Sequence, residues 1–434
     1  MNILILNVTN IKMSIAIPKH IITEENIQTI EKKLYIEKQK DSNITKNKFF
    51  RSEKVPFYKI IGDFLHVPFF WARSYFGQKY INLNYPDMPF EFNGDLREEQ
   101  EELKHEAMQS LDQNDCVLVS CYPGFGKTIM ALKLLQELRK KTIIIVNKLV
   151  LINQWSESIQ KFLNINPTII KGKNTTIKNN SIYIINAINI PKHDFSDLDI
   201  GTVIVDECHM ILTTVFSQGL FHLTPKYLIG LSATPFRMDG FDSLFDIFFG
   251  LFRVHRNLYK EHNVIQINTK EKVEHKLDKN GNINWGSVID HQSKSDNRNQ
   301  LICNYCQEYK DRNILILCKR IEQMNRIHEE LQSRGEFSVV FKENDVTFDK
   351  NCRILVSSFQ KCGTGFSFNK LDMLILGVDT KDFYLQYLGR VFRTVSVKPL
   401  IIDIVDDHVL LKNHFRERKK IYLECGGNIE RRIL

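Results

Sequence analysis

Cys121-Tyr122-Pro123-Gly124-Phe125-Gly126-Lys127-Thr128 stands where the apolar run Val117-Leu118-Val119 gives way to a segment of helical spacing. A strand that hands over to a helix through such a stretch is a phosphate-binding loop. Gly124 and Gly126 let backbone N–H groups turn toward anionic oxygens. Lys127 brings a mobile charge for β- and γ-phosphates, and Thr128 offers a hydroxyl to Mg2+. Tyr122, Pro123 and Phe125 complete the set expected to line a nucleotide. The strict pattern has glycine in the first place, where this chain has Cys121. Taken alone, the loop would also suit a small-molecule kinase, so the surrounding chain has to decide.

Outward from the loop, short β-rich runs alternate with amphipathic segments from Asp95 to about Phe252, the pattern of a parallel sheet covered by helices. Residues 116–120, 142–146, 181–186, 201–205 and 227–232 read as strands. Ala131, Leu134, Leu135 and Leu138 recur at helical spacing, as do Trp155, Ile159 and Phe162. In such a doubly wound sheet the catalytic loops leave the carboxyl ends of the strands. Residues 271–299, polar and carrying Asp278-Lys279-Asn280-Gly281-Asn282, read as a turn-rich connector. The alternation then restarts, with strands expected at 314–317, 338–341, 353–357, 373–376 and 399–404, so a second α/β lobe follows the first. The first ninety or so residues differ. A charge-rich helix is expected over 24–40, followed by aromatics from Phe57 to Phe76 around Lys59 and Arg73. Such an arrangement stacks nucleic-acid bases in some proteins, but the core of a small domain is the favoured reading.

Three further motifs carry chemistry. Asp206-Glu207-Cys208-His209 directly follows the apolar strand Val203-Ile204-Val205, which brings its carboxylates to the sheet edge of the phosphate loop. Asp206 is placed to hold Mg2+ and Glu207 to deprotonate the attacking water. Ser232-Ala233-Thr234-Pro235 ends another strand, and its hydroxyls are suited to report loss of the γ-phosphate. In the second lobe, Gln386-Tyr387-Leu388-Gly389-Arg390-Val391-Phe392-Arg393 sets two arginines three apart on one helix side. An arginine from a second lobe that meets the γ-phosphate is worth roughly a thousandfold or more in rate.

In this order the motifs resemble those of the superfamily 2 helicases and translocases, from about Leu96 to Ile404. The resemblance implies two tandem RecA-like α/β lobes, each a parallel sheet flanked by helices, with a small α+β accessory domain at the N-terminus. It implies ATP and Mg2+ as cofactors and catalytic roles for Lys127, Asp206, Glu207, Gln386, Arg390 and Arg393. Leu96-Arg97-Glu98-Glu99-Gln100 is similar to the glutamine motif, implying that Arg97 and Gln100 meet the nucleotide, with Gly365 joining them from motif V. His209, Ser232 and Thr234 are implied in coupling. Leu151 to Trp155 is similar to motif Ia, Ile314 to Arg320 to motif IV, and Phe359 to Ser367 to motif V, which implies nucleic-acid contacts for Trp155, Arg320 and Gln360. Motif V usually ends in an acidic residue where Ser367 stands. The Asp-Glu-Cys-His motif, Gln386 in place of histidine, and Ser232 to Gly240 are similar to the DNA-directed branch containing XPB and UvsW. Closest in pattern is the poxvirus-type transcript-release DNA helicase of large DNA viruses.

The expected organisation is an N-terminal accessory domain over 1–90, a first lobe over 91–255, a connector over 256–299 and a second lobe over 300–434. At 434 residues, 43% apolar and 25% charged, the chain has the composition of a soluble multidomain protein, with no run of membrane-spanning length and no signal peptide. Nine scattered cysteines suit a reducing, intracellular setting, and Cys303-Asn304-Tyr305-Cys306 lacks a second pair, so no structural zinc is expected. The net charge of +8 suits a polyanionic partner. The basic run at Lys412, Arg416, Arg418, Lys419 and Lys420 reads as a phosphate contact or a solvated helix face. The resulting expectation is a cytoplasmic, monomeric, ATP-driven motor on nucleic acid, DNA favoured over RNA, working in viral transcription, transcript release or repair beside the transcription machinery. Its rivals are an RNA helicase of the DExH type and a nucleic-acid clamp with an idle ATPase.

Overall fold

The computed structural model describes residues 14–37, 54–77, 85–173, 177–212, 223, 225–233, 241–345, 347–363, 368–381, 384–394 and 397–434. They form two compact units. One comprises the described residues up to Cys121 with Phe125–Arg256, and the other Tyr122–Gly124 with Asn257–Leu434.

The first unit opens with β1 (Ser14–Pro18), β2 (Tyr35–Glu37), β3 (Lys54–Pro56), β4 (Lys59–Ile61) and β5 (Phe64–Pro68). β1, β5 and β4 make a small antiparallel sheet, and β2 pairs with β3. The helix expected over 24–40 spans Glu24–Leu34, because Tyr35–Glu37 leaves the helix to pair with Lys54–Pro56. Its start is set by a capping box, Thr23 accepting from the Asn26 N–H while the Asn26 side chain accepts from Thr23. Ile15, Ile17, Ile30, Leu34, Leu65 and Val67 form a modest core of their own. Phe57 and Phe69, however, lie fully buried in the main core of the unit beside Leu118, Ile143 and Val203. Arg73, the basic residue late in this aromatic run, is ion-paired with Asp115. Phe57 and Phe69 are thus core, Tyr75 is exposed and the aromatics between are half-buried, and through the first two this segment shares its apolar interior with the large sheet.

That sheet contains β6 (Cys116–Cys121), β7 (Thr142–Val146), β8 (Thr168–Ile170), β9 (Ile182–Asn186), β10 (Thr202–Val205), β11 (Tyr227–Ser232) and β12 (Arg253–Arg256). Its order is β12-β6-β11-β10-β7-β9-β8, all parallel. β6, β7, β9 and β10 are buried at every position, as a sheet with helices on both faces requires, which explains why they read as continuous apolar runs. β8 and β12 are short and only partly apolar, and the sequence pattern did not reveal them.

The second unit holds β13 (His262–Lys272), β14 (Ile314–Cys318), β15 (Ser338–Phe341), β16 (Ile354–Ser358), β17 (Met373–Leu376), β18 (Leu400–Asp407) and β19 (Gly427–Ile433). The order is β15-β16-β14-β17-β18-β13-β19, again entirely parallel. Residues 271–299 correct the connector reading. They complete β13, turn through a bridge between Leu277 and Ile283, and form the helices Trp285–Lys294 and Asp296–Glu308. Asn284 and Ser295 cap those helices, and Val288, Ile289 and Ile302 bury their apolar sides, a periodicity diluted in the sequence by polar neighbours. Cys303 and Cys306 lie on the buried face of the second of these helices.

Candidate active site

The phosphate loop leaves β6 and returns to the first unit at Phe125, and in that unit the Asp206-Glu207 pair leaves β10 and Ser232 ends β11. These three strands are neighbours in the order β6-β11-β10 and run the same way, so the three loops emerge at one sheet edge. Gly124 and Gly126 both take left-handed backbone conformations, with φ of 93° and 100°. A Cβ on Gly126 would lie 2.5 Å from Gln100 Nε2, so a side chain there would have to displace that amide. Gly126 ends the loop as the N-cap of the helix Lys127–Leu138, whose first-turn N–H groups face the loop.

The loop is braced by the glutamine motif. The Phe125 carbonyl accepts from Gln100 Nε2 at 2.8 Å and from Arg97 Nη2, while Gln100 Oε1 accepts from the Arg97 N–H at 2.9 Å. The Arg97 guanidinium lies over the Phe125 ring, 5.7 Å from its centroid. Gln100 is buried with its amide engaged in holding the loop. Lys127 Nζ donates to the carbonyl of Cys121 at 3.0 Å. Thr128 is half-buried in the first helical turn.

Asp206 is 7% exposed. Its Oδ2 accepts from the indole Nε1 of Trp155 at 2.8 Å and its Oδ1 from the Glu207 N–H at 2.9 Å. Burial, and after it the neighbouring Glu207 charge, raises the carboxyl to about 6, against the pull of Trp155 and Lys127. Glu207 sits at a φ of 48°, a conformation costly for a side-chain-bearing residue, and caps the short helix Cys208–Ile211. Its Oε2 is buried without a hydrogen-bond donor among the described residues, 3.4 Å from His209 Nδ1. His209 Nδ1 also meets Ser232 Oγ at 3.0 Å, so the acidic motif and the end of β11 are joined directly.

Trp155 requires a correction. Expected to face nucleic acid, it is 1% exposed and lies in the buried stripe of the helix Leu149–Leu163 with Ile152 and Ile159. The four-residue spacing from Trp155 to Ile159 was the sign of burial.

In the second unit, Gln386 and Arg390 are buried on the helix Tyr384–Val391. A Cβ on Gly363 would meet Gln386 Oε1 at 3.4 Å, and Arg390 Nε donates to the Cys362 carbonyl at 3.0 Å. Arg393 Nη1 reaches Asn369 Oδ1 at 3.3 Å, and burial, followed by the Arg390 charge, lowers its guanidinium from the ordinary value. Lys260 Nζ donates to the carbonyls of Phe392, at 3.0 Å, and Thr394, bracketing Arg393; no sequence signal marked this lysine. Arg320 is exposed and paired with Asp290 at 2.7 Å, beside Lys294, Lys319 and Arg326 around a cavity of about 530 Å3. Gln360 is exposed on the helix Phe359–Gly363. Arg418, by contrast, is 1% exposed and not available to phosphates: it is bidentate to Asp403 at 2.8 Å and reaches Asp379 at 2.5 Å. Thr234 and Gly365 lie outside the described residues.

Two parallel sheets flanked by helices, with this loop set at the edge of the first, are the architecture of two RecA-like lobes. The chain belongs to the superfamily 2 helicases, whose members hydrolyse ATP. Residues 93–237 match the family model described as "Type III restriction enzyme, res subunit". A protein of Invertebrate iridescent virus 6 named as a helicase, 161L, is 37% identical over 86% of this chain and 90% of its own length. An Acanthamoeba polyphaga mimivirus protein named as an ATP-dependent RNA helicase, L396, is 24% identical over 95% of this chain and 84% of its own. "DNA 3'-5' translocase XPB2" of Sulfurisphaera tokodaii is 22% identical over 77% and 88%. Among solved structures, S. cerevisiae Dbp5 bound to RNA and ADP BeF3 shares the fold with a TM-score of 0.54 at 14% identity, covering 76% of this chain and 89% of that one.

Proposed function

We propose that the chain couples Mg-ATP hydrolysis to movement along DNA, with an accessory segment over 1–90, a nucleotide-binding lobe over 91–255, and a second lobe that takes in β13 and the helices of the stretch first read as a connector. The observation that carries this reading is the convergence of Lys127, Asp206, Glu207 and Ser232 at one edge of the first sheet. In this mechanism Lys127 exchanges the Cys121 carbonyl for β- and γ-phosphate oxygens, and the N–H groups opening its helix meet the same anion.

The residues present fit Mg2+. Asp206 and Thr128 are hard oxygen donors at the loop, and Glu207 Oε2 beside Asp206 is a buried acceptor with no hydrogen-bond donor among the described residues. Asp206 and Thr128 would hold the ion, which when bound supplies positive charge to the triphosphate. Glu207 takes the proton of the attacking water; Arg390 and Arg393, with Gln386 beside them, stabilise charge on the transferred phosphoryl group. Gln100 and Arg97 read the nucleotide through the loop they brace, His209 and Ser232 relay its state, and Arg320 and Gln360 face the nucleic-acid backbone. The XPB2 relative, named as a DNA translocase, supports DNA as the track, and with it we propose a role in viral transcription, transcript release or repair.

The test compares ATP turnover with single-stranded DNA, duplex DNA and RNA at two salt concentrations, with Lys127→Ala as control. Stimulation by DNA that weakens with salt is expected. Stimulation by RNA alone moves the protein to the track named for the mimivirus relative. Turnover that persists in Lys127→Ala removes the site assignment.

A further inference from the structure

The structure assigns Trp155 a part in the reaction: it is the positioning residue through which the helix Leu149–Leu163 orients the Asp206 carboxylate toward a divalent cation. The inference rests on the Mg-ATP reading of the site. Its basis is a bond that packing alone does not require. The Trp155 ring is buried among Ile152 and Ile159 and would fill its place equally well without a donor, yet its N–H lies 2.8 Å from Asp206 Oδ2. The second oxygen of the same carboxylate takes the Glu207 N–H at 2.9 Å. One donor comes from a helix and the other from the backbone turn after β10, so the carboxylate plane is fixed at two points.

An ionised carboxylate offers about four acceptor positions, and two donors leave roughly two open. Those open positions are what a metal, or water bound to it, would use. Without the indole N–H, Oδ2 is free to rotate away from the loop, held only by the opposite oxygen. Donors that orient a metal-binding carboxylate typically change metal affinity by about 10–100-fold when removed. The indole therefore ranks with the ligands in its effect on the ion, although it never touches it.

The experiment uses the full chain with Trp155→Phe, and separately with β-(3-benzothienyl)alanine at position 155, which keeps the ring shape and replaces N–H by sulfur. Two quantities are read: the Mg2+ concentration giving half-maximal ATP turnover, and Mn2+ retained with ADP, counted by electron paramagnetic resonance. Both midpoints are expected to rise about tenfold or more in both variants. Binding of ADP in the presence of a chelator is expected to match the parent protein, which a merely structural role for the ring would not allow. Unchanged Mg2+ and Mn2+ midpoints in the benzothienyl protein overturn the inference, as does an equal loss of chelator-stable ADP binding. A parent protein that turns over no ATP with any polymer removes the Mg-ATP reading itself, a result distinct from either.

Discussion

The polar groups of the first unit's site and those packed by the helix Tyr384–Val391 of the second are satisfied in different ways. In the first, Lys127 and Gln100 rest on loop carbonyls, those of Cys121 and Phe125. In the second, Arg418 is enclosed by Asp403 and Asp379, Asp379 by His414, and Asp403 by Tyr422, which also meets Tyr384 at the start of its helix. Burial acts against the Asp379 charge, but Arg418 and His414 hold its carboxyl below the usual range. A lysine on a neutral carbonyl gives up one modest hydrogen bond when a phosphate arrives, whereas a bidentate arginine between two carboxylates has no better partner available. Polar side chains thus serve an exchangeable arrangement in one unit and a permanent one in the other.

The largest effect that would break this contrast is expected from Arg418→Met. It leaves Asp379 and Asp403 buried without their counter-ion and should cost about 3–5 kcal/mol in urea unfolding of the second unit. A loss under about 1 kcal/mol would mean the network is not permanent. Lys127→Ala should lower polymer-stimulated turnover by about a hundredfold or more while moving stability by less than about 0.5 kcal/mol. Turnover assays and thermal melts on the same preparation separate the two quantities.

A third expectation concerns pH and the metal-free protein. Asp206 has a folded value of about 6, above its ordinary 3.8, because burial and Glu207 disfavour its charge. Its stabilising contribution is therefore complete below pH ~4 and is lost as pH rises through ~6, above which the ionised group is a burden. In a chelator, Asp206→Asn should melt higher than the parent at pH 8, by on the order of 1–2 kcal/mol, and the gap should close toward pH 4. A gap that widens on acidification would reverse the assigned direction. The smallest effect belongs to the exposed Arg320–Asp290 pair: Asp290→Asn should alter stability by less than about 0.5 kcal/mol. It should also free Arg320, strengthening nucleic-acid binding at low salt in a fluorescence-anisotropy titration.

Much of the fold was legible because strands buried on both faces must be apolar throughout. Ten expected strands across the two units correspond to ten of the observed ones, including 142–146, 227–232, 338–341 and 373–376 end to end. What escaped was of another kind. β19 lies at a sheet edge and alternates with charged residues, and β13 ends in the polar run Asn268–Lys272, so neither stands out as an apolar block. In the site, the loop, the acidic pair and the arginine helix announced themselves because their chemistry needs fixed spacing. The bonds between them did not: Trp155 to Asp206 and Lys260 to the carbonyls around Arg393 span 51 and 132–134 residues and follow no local pattern. Arg418 shows the converse error, a charge in a basic run assigned to the surface when only its neighbours are there.

All nine cysteines are buried free thiols, and those at 116 and 121 are pushed up to about 12 by burial, with others at about 11 or beyond. Maleimide chemistry depends on thiolate and access, and these side chains offer little of either at neutral pH. A cysteine introduced on an exposed loop can therefore carry a fluorophore on an otherwise unaltered background, opening the proposed movement along DNA to single-molecule observation.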